Sequence, residues 1–153
     1  MNTLDKVVYE LRGKNFIFLI GNGGSASTCT HFANDLMSSG YKAISLADNV
    51  ANMTRIANDR DYKYVFEDQL KVLFRENDAL IAISASGRSF NLIRAVDYVN
   101  SVGGLSIAIV GFDGGALANI CKYVIHIPTG VGEYEKAEDE HLKICHQISK
   151  ELK

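Results

Sequence analysis

The sequence lacks the features that mark several classes of protein. Its three cysteines, Cys29, Cys121 and Cys145, are odd in number and have no CxxC spacing, so we predict reduced thiols rather than a disulfide or metal-finger framework. No apolar run approaches the length of a membrane span. The first residues show no basic segment followed by an apolar one, which argues against a signal peptide. Together these absences predict a cytoplasmic protein without a membrane partner.

Charge excludes a further set of partners. The formal net charge is −2 in a chain of 153 residues, and no run of basic residues stands out, so we expect no nucleic-acid partner. The one strongly glycine-rich turn, at 21–25, is neither GxGxxG nor a Walker loop, because no lysine follows its glycines. We therefore expect neither a nucleotide nor a redox cofactor.

Short apolar runs alternate with patterns typical of helices along the chain. The predicted strands lie at 15–20, 41–47, 79–84, 105–110 and 123–127. The predicted helices lie at 2–12, 25–39, 49–58, 62–74, 91–102, 113–120 and 133–153. This alternation predicts an α/β fold, in which a five-stranded parallel sheet is flanked by helices in a flavodoxin-like three-layer sandwich. We expect one domain over 1–153, with a short N-terminal helix within 1–14 and a C-terminal helix over 133–153.

Two turns of small residues follow predicted strands, where ligands bind in parallel sheets. The first contains Asn22, Gly23, Gly24 and Ser25, and the second contains Ser84, Ala85, Ser86 and Ser89. Each joins a strand to the N-terminus of a helix, an arrangement that presents backbone N–H groups to an anion. Because two such turns occur in one sheet, we favour a phosphate site over two incidental helix caps.

Imidazoles and carboxylates recur on two of the predicted helices. His31 and Asp35 are four residues apart and share one face, as do Glu138 and His141, while His146 lies two turns further along the last helix. These groups suit proton transfer at a sugar carbonyl, and they equally suit a divalent metal such as zinc. Spacing leaves both alternatives open, and it leaves open whether His141 lies at the surface.

At this point the sequence resembles a known family. The glycine turn with its HFAND helix, the Asn58-Asp59 pair, the SASGRS turn and the EDEHLKICH ending are similar to those of sugar isomerase (SIS) domains, and most of all to phosphoheptose isomerases. The likeness runs from about residue 16 to 152, in order and with matching gaps. It implies an aldose–ketose isomerase that converts sedoheptulose 7-phosphate to glycero-manno-heptose 7-phosphate, a precursor of lipopolysaccharide or capsule heptose.

The resemblance also implies roles for individual residues. The phosphosugar would be bound by the two turns, by Asn58 and Asp59, and by Glu138. Asp35 would be the catalytic base and His146 its acid/base partner, acting through a cis-enediol intermediate. In zinc-containing relatives the matching positions hold the metal, which implies one zinc ion per subunit on His31, Asp35, Glu138 and His146.

The chain departs from the family pattern in three places. Aspartate replaces the usual glutamate at Asp35, which withdraws the carboxylate by about one methylene group, and misplacements of about 1 Å can lower a rate on the order of 10²-fold. Glutamate replaces the usual glutamine at Glu138, which adds a negative charge. Only about fourteen residues precede the first strand, whereas family members carry longer N-terminal helices that help to build a tetramer. We therefore expect a homo-oligomer, either a tetramer or a dimer.

Non-catalytic functions are the alternatives. Some SIS relatives keep the phosphosugar fold and act through protein partners, one kind by associating with a replication initiator, but these lack the terminal histidine. Others are phosphosugar-sensing regulators, for which this chain has neither an appended DNA-binding segment nor a basic patch. The presence of both His31 and His146 favours an enzyme, whereas the substitutions at Asp35 and Glu138 favour a binding module or an isomerase of a different sugar phosphate, for example one serving capsule synthesis.

Overall fold

A computed structural model describes all 153 residues as five strands that alternate with helices. The strands are β1 (Ile17–Ile20), β2 (Ala43–Ser45), β3 (Ala79–Ser84), β4 (Leu105–Val110) and β5 (Tyr123–His126). The α-helices are α1 (Thr3–Arg12), α2 (Gly24–Ser38), α3 (Val50–Asp59), α4 (Glu67–Leu73), α5 (Phe90–Ser101), α6 (Leu117–Ile120) and α7 (Tyr134–Glu151), and a 3₁₀ helix spans Tyr62–Tyr64. The predicted α/β class is confirmed.

The five strands form one parallel sheet in the order β2-β1-β3-β4-β5. The chain leaves β1 for one edge of the sheet and returns on the other side of β1 with β3. The carboxyl ends of these two neighbouring strands therefore lie at the topological switch point, where open α/β sheets bind their ligands.

Alternating residues of each strand enter two separate cores. Ile17 and Leu19 pack towards α1, α2 and α7, whereas Phe18 and Ile20 pack towards α3, α4, α5 and α6. Strands β1, β3 and β4 are buried along their whole length, as expected of a parallel sheet covered on both faces. This arrangement confirms the predicted three-layer sandwich.

Three predicted elements differ most from their expected lengths. The strand predicted at 41–47 is reduced to β2, an edge strand that pairs only with β1. The helix predicted at 62–74 opens as the 3₁₀ helix, because the Asp61 carboxylate accepts the Lys63 N–H, and α4 begins only at Glu67. The helix predicted at 113–120 is reduced to α6, because Gly114 and Gly115 both adopt positive φ.

None of the helices is both long enough and apolar enough to cross a membrane.

Candidate active site

The glycine turn follows β1 and leads directly into α2. A Cβ atom at Gly21 would lie 2.9 Å from the backbone of Ser25, so a side chain does not fit there. Gly23 has a φ of 55°, a conformation that favours glycine. No side chain caps the start of α2, which leaves the positive end of the helix dipole open to an anion.

The serine turn follows β3 and leads into α5. The Ser84 hydroxyl accepts the Gly87 N–H at 2.9 Å, and the Ser86 hydroxyl accepts the Arg88 N–H at 3.2 Å. Ser89 occupies the N-cap position of α5, but its hydroxyl makes no capping bond and is available to a ligand. The Ser84 and Ser86 hydroxyls thus stabilise the turn as acceptors, and the serine O–H groups can still donate to a ligand.

The loop after β4 packs against the serine turn. Gly87 has a φ of 67°, and a Cβ atom there would collide with the carbonyl of Gly114. Arg88 forms an ion pair with Asp113, whose carboxylate also accepts the Gly115 N–H. That N–H contact, followed by the neighbouring Arg88 charge, lowers the pKa of Asp113 and keeps the pair ionised.

The two turns enclose a cavity of about 380 Å³, which we call the serine–glycine cavity. Nine residues that the sequence predicted to bind substrate line it: Asn22, Gly23, Gly24, Ser25, Ser84, Ala85, Ser86, Ser89 and Glu138. Ile83 and Tyr134 also line it and were not predicted. Because β1 pairs with β3, two turns that are some sixty residues apart in sequence line the same cavity.

Asn58 and Asp59 do not line this cavity. Both lie exposed in the last turn of α3, where the Asn58 amide donates to the Asp59 carboxylate at 3.2 Å. The helix that the sequence predicted to end at residue 58 continues through Asp59. Tyr62, three residues beyond Asp59, does reach the cavity lining, because its hydroxyl donates to the side-chain Oδ1 of Asn22 at 2.8 Å.

A second site is formed by side chains of α2 and α7, which pack against each other through buried residues that include Cys29, Phe32 and Cys145. We call His31, Asp35 and His146 the histidine–aspartate cluster. The Asp35 carboxylate lies 3.7 Å from Nε2 of each histidine, and the two Nε2 atoms are 3.3 Å apart.

The cluster has the dimensions of a three-ligand metal site. Zinc bound to nitrogen or oxygen at 2.0–2.1 Å in a tetrahedron places its ligand atoms about 3.4 Å from one another, and the three spacings here are 3.3–3.7 Å. The donor set of two imidazoles and one carboxylate also suits zinc, and three protein ligands leave one position open, as in catalytic zinc sites.

Glu138 does not join this cluster in the structure. It belongs to α7, eight residues before His146, a separation of about 12 Å along a helix. Its carboxylate instead lies against Gly24, where a Cβ atom would collide with it. Of the four predicted metal ligands, three are therefore brought together, and the fourth lines the serine–glycine cavity.

Comparison with known proteins identifies the family. The family model of the SIS domain matches residues 10–137. The chain belongs to the SIS domain family. It is 35% identical over 150 residues to a phosphoheptose isomerase of Cytophaga hutchinsonii, covering 94% of this chain and 78% of that protein. It is 32% identical over 149 residues to the phosphoheptose isomerase of Aneurinibacillus thermoaerophilus, covering 94% and 74%.

Solved structures agree with this assignment. The phosphoheptose isomerase of Neisseria gonorrhoeae superposes with a TM-score of 0.93 at 27% identity, covering 98% of this chain and 84% of that one. The NanR protein of Vibrio vulnificus, solved with ManNAc-6P, has a TM-score of 0.75 at 18% identity, a likeness that shows the shared fold alone. The sequence-based assignment to SIS domains most similar to phosphoheptose isomerases is confirmed.

His141 is buried in this SIS domain rather than exposed. Its ring lies near the Val110 carbonyl, but neither ring nitrogen makes a hydrogen bond of normal geometry. Burial lowers the pKa of this imidazole and so favours its neutral form. By contrast His126, the last residue of β5, is exposed, and its Nε2 lies 3.0 Å from the Phe112 carbonyl oxygen.

The three thiols are free and are not nucleophiles. Burial raises the pKa of Cys29 and Cys145, and it raises that of Cys121 to about 12. Since the thiolate is the reactive form, none of them is activated at neutral pH.

Sequence reasoning missed Tyr134 as a wall of the cavity. Its ring packs edge-on against Phe112 at 5.1 Å between centroids, and Phe112 is the one residue other than glycine with positive φ, at 42°. That conformation is held by the Thr129 hydroxyl, which accepts the Phe112 N–H at 3.2 Å. No pattern in the sequence marks Tyr134, because it reaches the cavity only through the placement of α7.

Proposed function

We propose that this protein is a phosphosugar aldose–ketose isomerase that converts sedoheptulose 7-phosphate to glycero-manno-heptose 7-phosphate for heptose precursor synthesis. The observation that carries the proposal is the placement of an anion-binding cavity and a histidine–aspartate cluster along one helix, α7. The relatives named phosphoheptose isomerase, over most of whose length this chain aligns, support the same reaction.

The size of the substrate fits the separation of the two sites. Glu138 and His146 lie about 12 Å apart along α7. A heptose 7-phosphate has eight bonds between C1 and phosphorus, close to the nine backbone bonds of three extended residues, which span about 10 Å. We accordingly place the phosphate at Ser84, Ser86 and Ser89, and C1 and C2 near Asp35 and His146.

Asp35 and His146 carry the proton transfer in this proposal. Asp35 takes a proton from C1 of the ketose while protonated His146 gives one to the C2 carbonyl oxygen, which forms the cis-enediol. His146 then removes the C1 hydroxyl proton, and Asp35 returns its proton to C2, which yields the aldose with all atoms balanced. No electron leaves the substrate, so the reaction needs no redox or nucleotide cofactor.

The proposal includes one zinc ion per subunit. His31, Asp35 and His146 would hold it, and Glu138 would complete the set after its side chain moves away from Gly24. A bound zinc ion would polarise the substrate carbonyl as a Lewis acid. Zinc would bind the same Asp35 and His146 side chains that serve as base and acid in its absence. Metal-assisted and metal-free catalysis are therefore alternatives that experiment separates.

The remaining substrate contacts come from the turns. Asn22, Gly23, Gly24 and Ser25 would bind sugar hydroxyls or phosphate oxygens through their N–H and hydroxyl donors, and Ala85 contributes its backbone. Asn58 and Asp59 would join only if the end of α3 approaches a bound sugar.

We also propose that residues 1–153 form a single SIS domain that works in the cytoplasm as a homo-oligomer, a dimer or a tetramer. Three free thiols support the location. Large apolar side chains at the surface support association, among them Val50, Val72 and Phe90.

The deciding experiment is an isomerase assay with sedoheptulose 7-phosphate, run on protein stripped with a chelator, on zinc-loaded protein and on His31→Ala. His31 lies in the cluster but is neither the base nor the acid of the proposal, so His31→Ala separates the alternatives. Activity that survives chelation and His31→Ala supports a free acid–base pair, whereas loss under both conditions supports the metal. Absence of turnover in every preparation, with the sugar phosphate bound, would overturn the isomerase.

Asp139→Asn is the matched control, because Asp139 lies exposed on α7 and lines neither the serine–glycine cavity nor the cluster. It should retain the activity and zinc response of the wild type.

A further inference from the structure

Three hydrogen bonds hold the side chain of Asn22, which lines the serine–glycine cavity. The Asn22 and Asn91 amides form a reciprocal pair, in which each Nδ2 donates to the Oδ1 of the other at 3.0 Å. The Tyr62 hydroxyl donates to the same Asn22 Oδ1 at 2.8 Å. Both acceptor positions of Asn22 Oδ1 and one of its two N–H groups are therefore occupied.

The two partners reach Asn22 from different parts of the fold. Asn91 is 4% exposed and is the second residue of α5, directly after the serine turn. Tyr62 belongs to the 3₁₀ helix and is 51% exposed. Their bonds therefore tie the glycine turn after β1 both to the serine turn after β3 and to the segment that follows α3.

We propose that Asn91 and Tyr62 are positioning residues of the phosphosugar site. They hold Asn22 so that it meets the ligand as a donor, through its one remaining N–H, and cannot offer an acceptor. The group it binds is then an acceptor oxygen of the sugar phosphate, either a phosphate oxygen or a hydroxyl oxygen. This inference rests on the proposed function, since it concerns the same site.

Preorganisation is the physical benefit of such a clamp. An asparagine that is free to rotate must be immobilised when the ligand binds, and the cost of fixing one side chain corresponds to about two- to tenfold in affinity. Here that cost is met during folding. Since the clamp acts equally on bound substrate and transition state, its loss should raise KM and leave kcat nearly unchanged.

Tyr62→Phe is the cleanest test, because it removes one hydroxyl from a half-exposed residue. We expect it to weaken binding of sedoheptulose 7-phosphate by about two- to tenfold in calorimetry, with kcat within about twofold of wild type. Tyr64→Phe is the matched control, since Tyr64 lies in the same 3₁₀ helix and does not line the cavity. It should bind as the wild type does.

A double-mutant cycle separates positioning from a general structural role. If Tyr62 acts through Asn22, adding Tyr62→Phe to Asn22→Ala should cause no further loss of affinity. Losses that multiply in the double variant, or wild-type binding by Tyr62→Phe, would overturn the proposal. Asn91→Leu should show the same coupling if its melting temperature shows that it folds.

The readout also distinguishes this inference from the isomerase itself. A wild-type protein that binds sedoheptulose 7-phosphate without turnover would overturn the reaction, while the cycle would still test the clamp by affinity. A wild-type protein that binds neither this sugar nor inorganic phosphate would overturn both.

Discussion

The serine–glycine cavity and the histidine–aspartate cluster differ in the groups that form them and in how deeply those groups are buried. The cavity consists mainly of main-chain turns, and its Ser25 and Ser84 are buried. The cluster consists of three side chains with exposed fractions of 47% for His31, 24% for Asp35 and 44% for His146. One site is thus part of the framework, and the other lies on its surface.

In the proposed reaction, this difference separates binding from chemistry. The turns of the cavity are held by strand pairing and by internal hydrogen bonds, so their donors are in place before a ligand arrives. The cluster is held by the packing of α2 on α7 and by its own side-chain contacts, and its three side chains are partly exposed. Variants should therefore damage one property without the other.

The largest expected effect sharpens this separation at the cluster. His146→Ala and Asp35→Asn should each lower kcat for sedoheptulose 7-phosphate by about 10²–10⁴-fold, the usual contribution of a general acid or base. Inorganic phosphate should compete as it does in the wild type, because the cavity is untouched. Steady-state kinetics with phosphate as an inhibitor measure both quantities, and equal damage to phosphate affinity would show that the two sites are not separable.

The next effect tests the rigidity of the cavity. Gly87→Ala should weaken phosphate binding by more than about tenfold, because its Cβ atom would collide with the Gly114 carbonyl and the serine turn must move. Gly103→Ala is the matched control, since Gly103 also has positive φ, at 74°, but faces open space. Both variants should pay about 1–2 kcal/mol of backbone strain, measured by urea unfolding.

Only Gly87→Ala should affect binding, which phosphate titration of both variants would reveal. A loss of affinity in Gly103→Ala would mean that the cavity responds to global stability rather than to local fit.

A smaller effect concerns the aromatic wall. Tyr134→Ala should raise KM by about three- to tenfold, because an aromatic pair contributes about 0.5–1.5 kcal/mol and the Phe112 turn loses its cover. Tyr134→Phe keeps the ring and should remain close to wild type. If the phenylalanine variant is damaged as much as the alanine variant, the hydroxyl rather than the ring contacts the sugar.

The smallest expected effect concerns the buried His141 and the pH dependence of stability. Because burial lowers the pKa of His141, the unfolded chain takes up a proton below about pH 6.5 more readily than the folded protein does. Above pH 6.5 His141 is neutral in both states and does not oppose folding. As the pH drops below that value the unfolded chain binds the proton more tightly, and the free energy of unfolding should fall.

His141→Leu should remove that part of the pH dependence and lie within about 1 kcal/mol of wild type at pH 7. Urea unfolding at pH 7 and pH 5 compares the two proteins. An unchanged slope with pH in the variant would assign the dependence to other groups.

Much of the fold was predictable because its signals are local. All five strands, and the start of α2 at the glycine turn, were expected from apolar runs that end in small residues. Element lengths were less predictable: α6 is shortened by the left-handed Gly114 and Gly115, and the start of α4 is delayed by the cap at Asp61. Such boundaries depend on single backbone conformations rather than on periodicity.

The candidate site divides in the same way. The resemblance named nine residues that line the cavity and the three residues of the cluster. It also linked Glu138 to the cluster and Asn58 with Asp59 to the substrate, and the structure places these three elsewhere. It did not reveal Asn91, Tyr62 or Tyr134, whose contacts join segments that are far apart in the chain.

The sequence by itself determined the layered α/β class and the two turns of small residues, because periodicity and glycine act over a few residues, and the roles proposed for Asp35 and His146 came from the resemblance to a family. Only the tertiary structure decided which groups meet. The pairing of β1 with β3 brings the two turns together, and the packing of α2 on α7 places His146 beside His31 and Asp35. These meetings depend on contacts between residues far apart in the chain, which no local pattern encodes.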